Sequence, residues 1–157
     1  MRIHAYKAQD IDDASMFLVN SLLISHGIRR DTTAIVELSG RWIIAPGSRT
    51  RHLRPDQGTR TGWIKHVLRK GGGLGAAVTT TRPRELGEGL VCVGPGGSVS
   101  LEDALAECQG SCRVAYNWPW PGDCVITADP GMSVEPYMLP ALVNIILDRI
   151  WAGLPPY

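Results

Sequence analysis

Carboxylates are almost missing from the middle of this chain. Between Arg49 and Lys70 only Asp56 is acidic, against Arg49, Arg51, His52, Arg54, Arg60, Lys65, His66, Arg69 and Lys70. The net charge of the 157 residues is only +1, so global charge does not mark a nucleic-acid binder. The local field does, because a run of cations without counter-charges suits a phosphate backbone. The competing reading is a solvated basic helix face.

A long apolar run is also missing. The most apolar stretch, Met138 to Trp151, is broken by Pro140, Asn144, Asp148 and Arg149, and it is too short and too polar for a bilayer span. The first residues hold no basic segment followed by an apolar one, so no secretory leader is expected and a cytoplasmic protein follows by default. Disorder is excluded on composition, since 44% of residues are hydrophobic and 20% charged. The length fits one domain over residues 1–157.

Cysteine is scarce and wrongly spaced for metal. Cys92, Cys108, Cys112 and Cys124 lack the paired spacing of a zinc ribbon and no histidine lies among them, so no metal is expected. Cys92 and Cys124 fall in apolar, strand-like runs and read as buried small hydrophobes. Cys108 and Cys112 could bridge, but a cytoplasmic setting favours free thiols. Several catalytic signatures are absent too: no phosphate-loop lysine, no dinucleotide fingerprint and no nucleophile elbow.

What is present alternates between strand and helix patterns. Strands are expected at 1–7, 33–38, 41–45, 90–93, 112–116 and 124–128, with weaker ones at 76–80 and 132–134. Helices are expected at 14–25 with Gly27 ending it, at 61–70 stopped by Gly71 to Gly73, from Ser98 or Ser100 to about Gln109, and at 140–151. That alternation implies an α/β fold with a parallel sheet. Gly94 to Ser98, between a strand and a helix, could hold an anion on backbone amides, although a plain turn is favoured. His26 is a candidate base or a helix-end residue. Trp118 and Trp120, flanked by Pro119 and Pro121, could stack on bases but read better as packing anchors.

The run Leu22-Leu23-Ile24-Ser25-His26-Gly27-Ile28-Arg29-Arg30-Asp31 resembles the signature of the TrmY family, the SPOUT-class enzymes that methylate N1 of pseudouridine-54 in archaeal transfer RNA. Gly47-Ser48 with Leu53-Arg54-Pro55-Asp56, Met132 to Pro136, and Leu142 to Arg149 are similar to further family segments, in the family's order. The resemblance implies a parallel sheet whose C-terminal part forms a trefoil knot, a homodimer, and S-adenosylmethionine bound by three loops. On this chain those loops supply Gly94, Gly96, Thr127, Ala128, Asp129, Gly131, Val134, Glu135, Pro136, Leu139 and Pro140. It also implies that Arg29, Arg30, Arg49, Arg51 and Arg54 hold tRNA phosphates. No catalytic residue is singled out. The shortened segments at Gln9 to Asp12 and Asp129 to Gly131 leave an alternative: a SPOUT-fold relative that binds RNA or a partner without catalysis.

Overall fold

The computed structural model describes residues 1–25 and 27–154. His26, the candidate base, lies outside the described residues. The chain runs β1 (Arg2–Lys7), α1 (Ile11–Leu22), β2 (Leu23–Ile24), β3 (Gly27–Ile28), β4 (Thr32–Leu38), β5 (Arg41–Pro46), α2 (Gln57–Lys70), β6 (Gly72–Gly73), β7 (Ala76–Thr79), β8 (Leu90–Val93), β9 (Val99–Ser100), α3 (Leu101–Ala106), β10 (Cys112–Tyr116), β11 (Cys124–Asp129) and α4 (Leu139–Trp151). Nine of these strands form one sheet in the order β6-β7-β5-β4-β1-β10-β8-β11-β9, while β2 and β3 make a small separate hairpin. Pairing is parallel from β4 through β9 in that order and antiparallel from β4 to β6.

Local chemistry explains the element ends. Asp10 caps α1 by accepting from the Asp13 amide at 2.8 Å, Asp56 caps α2 through the Thr59 amide at 2.9 Å, and Ser100 caps α3 through the Asp103 amide at 3.1 Å. Gly71, with φ of 69°, closes α2 in the left-handed region. Three expectations are corrected. Helix α1 ends at Leu22, because Leu23 and Ile24 turn extended to pair with Gly27 and Ile28. Helix α3 stops at Ala106, well before Gln109. Residues 132–134 form no strand; the sheet edge beside β11 is taken instead by Val99 and Ser100.

All four helices pack on one face of the sheet. Phe17, Leu18, Ile64, Val67, Leu105 and Ile146 share a core with Tyr6, Val36, Ile43, Val93 and Val114. Period-two alternation sends Ile3, Ala5, Ile35, Trp42, Cys92 and Ala115 to the other face, where no α-helix lies among the described residues. That face is covered by Leu86 and by the strap Asn117–Asp123. The strap carries the chain from the end of β10 across β8 to the start of β11 in seven residues. Pro119 and Pro121 stiffen it. Trp118 and Trp120 pack on each other and on Trp42, with ring centroids 5.0 to 6.1 Å apart, so the packing role expected of them is what they perform.

The cysteine expectation is also corrected. Cys92 and Cys124, facing the same side from the adjacent strands β8 and β11, form a disulfide with Cα atoms 5.6 Å apart. Cys108 and Cys112 form a second across the tight connection into β10, with Cα atoms 5.3 Å apart. Both separations lie in the range a disulfide needs.

Candidate functional site

Parallel register places the site. Arg2 lies opposite both Thr32 and Cys112, so β1, β4 and β10 begin at one edge of the sheet. Val93 lies opposite Tyr116 and Ala128, so the loops after β8 and β11 emerge together at the other, carboxyl edge. In open α/β sheets ligands bind outside the carboxyl ends of the strands. The loops expected to hold a cofactor lie at that edge.

Two of these loops are fastened to each other. The Gly94 amide donates to the Ala128 carbonyl at 3.0 Å and the Ser98 amide to the Thr127 carbonyl at 2.9 Å. A methyl group on Gly97 would stand 2.3 Å from the Ala128 carbonyl carbon and 2.4 Å from the Asp129 nitrogen, so only glycine permits this backbone approach. Asp129 ties the loops further: one carboxylate oxygen accepts from the Gly96 amide at 3.2 Å, the other from the Gly131 amide at 2.8 Å.

The third loop reaches the same edge beside α1. Residues Pro136–Met138 make a 3-10 turn that packs on α1 and leads into α4. Glu135 lies close enough to act electrostatically on Tyr6, near the carboxyl end of β1. Burial, the Asp13 hydrogen bond and the charges of Asp13 and Glu135 all push the Tyr6 hydroxyl above its ordinary value. That hydroxyl therefore stays protonated and donates to Asp13 at 2.9 Å. Leu139 and Pro140 are buried, while Val134 and Glu135 are exposed.

Between the first two loops and the strap lies a cavity of about 290 Å3. Gly94, Gly96 and Thr127 line it, joined by Trp118, Asn117 and the Cys92–Cys124 disulfide, none of which the sequence reading included. A larger cavity of about 710 Å3 lies farther along, between the start of α1 and α2. Gln9 to Asp12, the segment leading into the first turn of α1, lines it.

The arginines expected to hold RNA gather at the opposite, amino edge. Arg29 and Arg30 precede β4, while Arg49, Arg51 and Arg54 follow β5, whose last residue pairs with Thr33. Gly47 makes the junction. Its amide donates to the Thr32 carbonyl at 2.7 Å, and a methyl group there would stand 1.9 Å from the Arg29 carbonyl oxygen. The basic loop is rigid. Leu53 is buried, the Trp63 indole donates to the Arg51 carbonyl at 2.9 Å, and the Arg51 amide donates to Leu74. Arg30, Arg49, Arg51, His52 and Arg54 are exposed. A cavity of about 690 Å3 opens here, floored by Val19, Leu23 and Ile28 and rimmed by His52 and Arg54. Six strand residues separate the two edges, about 17 Å at ~3.3 Å per residue.

Two members of the basic set are used inside the protein. Arg29 is paired with Asp148 and Arg60 with Asp12 at 2.8 Å, each arginine side chain 11% exposed. A polar network that no local sequence signal marks lies in the core. His4, fully buried, meets the Tyr116 hydroxyl at 2.7 Å through Nδ1 and Asn144 Oδ1 at 2.8 Å through Nε2. The Asn144 amide nitrogen donates to the Ser21 carbonyl at 2.9 Å, which fixes Oδ1 as the atom facing His4. His4 therefore carries its proton on Nε2, and Tyr116 donates to Nδ1. Burial lowers the His4 pKa to about 4, and burial raises that of Tyr116 well above its ordinary value. None of these side chains lines the cavities described above. It locks β1 and β10 to α1 and α4.

Among the described residues no helix is long and apolar enough to cross a membrane, and no cluster of three or more histidine, cysteine or acidic groups could hold a metal ion. No family model matches the chain, and no curated protein matches it. Among solved structures it is similar to Nep1 of Archaeoglobus fulgidus, determined with S-adenosylhomocysteine bound, at a TM-score of 0.62 and 14% identity over 88% of this chain and 69% of that one. The likeness shows that the α/β fold described above is one this chain shares with Nep1.

Proposed function

We propose that this protein is an S-adenosylmethionine-dependent RNA methyltransferase of the SPOUT class. The observation that carries the reading is the backbone junction at Gly97, which fastens the glycine-rich loop after β8 to the end of β11 at the carboxyl edge of the sheet. Support comes from the TrmY-like signature and from the shared fold of a protein solved with S-adenosylhomocysteine.

The residues at the cavity fit the flat part of such a cofactor. Val93, Pro95 and Trp118 give apolar surface, Gly94 and Gly97 give close main-chain approach, and the Thr127 hydroxyl is exposed beside them. The volume, about 290 Å3, lies just below the ~300–1,000 Å3 usual for small-molecule sites. When bound, the cofactor supplies a sulfonium methyl group. The chain's own part is to hold and orient it through main-chain groups and to exclude water with the tryptophan strap.

The exposed cations Arg30, Arg49, Arg51 and Arg54 form the RNA contact in this reading. Their distance from the cofactor cavity, one strand length, favours a polynucleotide over a mononucleotide. The finer expectation is N1-methylation of a pseudouridine in tRNA. A homodimer and a trefoil knot belong to the same reading. Exposed Met132, Val134, Met138 and Ile145 support the dimer. The passage from β10 to β11 across β8 supports the threading.

Isothermal titration with S-adenosylmethionine tests the reading, with micromolar affinity expected. An absence of heat at high micromolar cofactor removes it. Transfer of labelled methyl to a pseudouridine-containing tRNA, but not to the same transcript with uridine, tests the finer one.

One observation favours the alternative, an RNA-binding relative without catalysis. Asp129 already occupies the Gly96 and Gly131 amides, which are the donors a ligand would use. Salt-dependent tRNA binding without any cofactor binding selects this alternative.

A further inference from the structure

The cavity at the carboxyl edge has a disulfide in its wall. Cys92 is 7% exposed and Cys124 half-buried, and both line the space beside Gly94, Gly97, Trp118 and Thr127. Cys124 also lines a second opening, of about 530 Å3, with Gly122 and Asp123, so this cysteine borders two openings. The bridge encloses the chain from Cys92 to Cys124, which includes the Gly94–Gly97 loop, α3, β10 and the tryptophan strap. Pairing of β11 with β8 is irregular between Cys124 and Ile126, so the ladder at the start of β11 is weak where the bridge sits. The two backbone–backbone bonds that hold the glycine loop, from Gly94 and Ser98, both end on β11.

We propose that Cys92–Cys124 is a thiol–disulfide exchange site whose reactant is a low-molecular-weight thiol, and that its redox state sets the rigidity of this cavity. The effect on cofactor affinity rests on the function proposed above; the effect on the loop does not. The small thiolate attacks Sγ of Cys124, the more exposed of the two residues, and the Cys92–Cys124 bond breaks. Cys92 leaves as a thiolate and takes a proton. A second small thiolate attacks the small-molecule sulfur of the mixed disulfide, which frees Cys124 and releases the small disulfide. Two electrons and two protons pass to the protein, and two small thiols become one small disulfide. The reverse reaction, with the small disulfide as oxidant, restores the bridge. Cys108–Cys112 closes only a short connection at the amino edge and lines no part of this cavity, so it serves as the internal control.

The test equilibrates the whole chain in glutathione and glutathione disulfide at graded ratios. Alkylation and peptide mass spectrometry then assign each bridge. Hydrogen exchange of the Gly94 and Ser98 amides is the first readout, and titration with S-adenosylmethionine the second. Opening of Cys92–Cys124 is expected to speed exchange at both amides at least tenfold and to weaken cofactor binding at least tenfold. The Cys92→Ser/Cys124→Ser variant should match the reduced protein at every ratio, and Cys108→Ser/Cys112→Ser should keep the full response. Unchanged exchange on opening, or a bridge that never opens at any ratio, overturns the proposal. Faster exchange with no cofactor binding in either state upholds the exchange site and removes the methyltransferase reading instead.

Discussion

Arg29 lays its two terminal guanidinium nitrogens on the two carboxylate oxygens of Asp148, each at 3.0 Å. Arg2 reaches the same carboxylate and lies over the Trp151 ring, 4.8 Å from its centroid. The arginine of the signature segment is thus spent in joining that segment to the last helix. Burial opposes ionisation of Asp148, but the hydrogen bonds and charges of Arg29 and Arg2 outweigh it and hold the carboxyl below its usual range. Removing the carboxylate leaves two largely buried cations short of a partner. Asp148→Ala should cost about 2 kcal/mol, less than the ~3–5 kcal/mol of a fully buried pair because Asp148 is 39% exposed. Urea unfolding at neutral pH measures it. A loss below a few tenths would mean the pairs contribute nothing.

His4 makes the fold acid-sensitive. Its folded pKa is about 4 against 6.5 for the free side chain, so the unfolded chain takes up its proton first as pH falls. Stability from this residue is full above pH 6.5 and drains away as pH drops toward 4, below which no more is lost. The total is about 3 kcal/mol at ~1.4 kcal/mol per pH unit. Unfolding free energies at pH 7 and pH 4.5, compared with those of His4→Gln, isolate the effect. An equally steep fall in the variant would assign the acid sensitivity to carboxylates instead.

Gly97 and Gly94 separate the needs of the site from those of the loop. A methyl group at Gly97 meets backbone at 2.3 Å and must push the loop away from β11, whereas one at Gly94 meets only the Asn117 side chain at 3.4 Å. Gly97→Ala should destabilise by about 2 kcal/mol or more, in the range of overpacking, and abolish cofactor binding. Gly94→Ala should leave the melting temperature within a few degrees. Thermal unfolding and titration of the two variants decide this. Equal behaviour would show that the close approach at Gly97 does not matter.

The sequence made the α/β alternation legible, because apolar period and glycine stops act over a few residues. The Ser100 cap and the stop at Gly71 both follow from such local chemistry. Long-range pairing was not legible. Cys92 and Cys124 are 32 positions apart, and only the sheet order sets β11 beside β8. The same holds for His4, Tyr116 and Asn144, each an ordinary residue in its own element and a network only after packing. The amino-edge cluster shows both sides: Arg49, Arg51 and Arg54 read correctly as an exposed basic run, while Arg29 and Arg60 found carboxylates 119 and 48 positions away.

Arg51 and Arg54 project from a loop held by Leu53 and by the Trp63 indole, so truncating them removes charge without unfastening the backbone. Arg51→Ala/Arg54→Ala should keep wild-type stability within about 0.5 kcal/mol, the usual range for surface changes. If both contact phosphate, tRNA affinity should fall and the slope of log K against log salt should flatten by about 1.5–2, at ~0.7–0.9 per contact. Arg29→Ala should do the reverse, costing stability through Asp148 while leaving the salt slope of the folded protein unchanged. Binding isotherms at 50 to 300 mM salt, read beside urea curves, distinguish the two. A salt slope that the double variant leaves untouched would show that this edge of the sheet is a solvated basic face and that RNA, if bound, is held elsewhere.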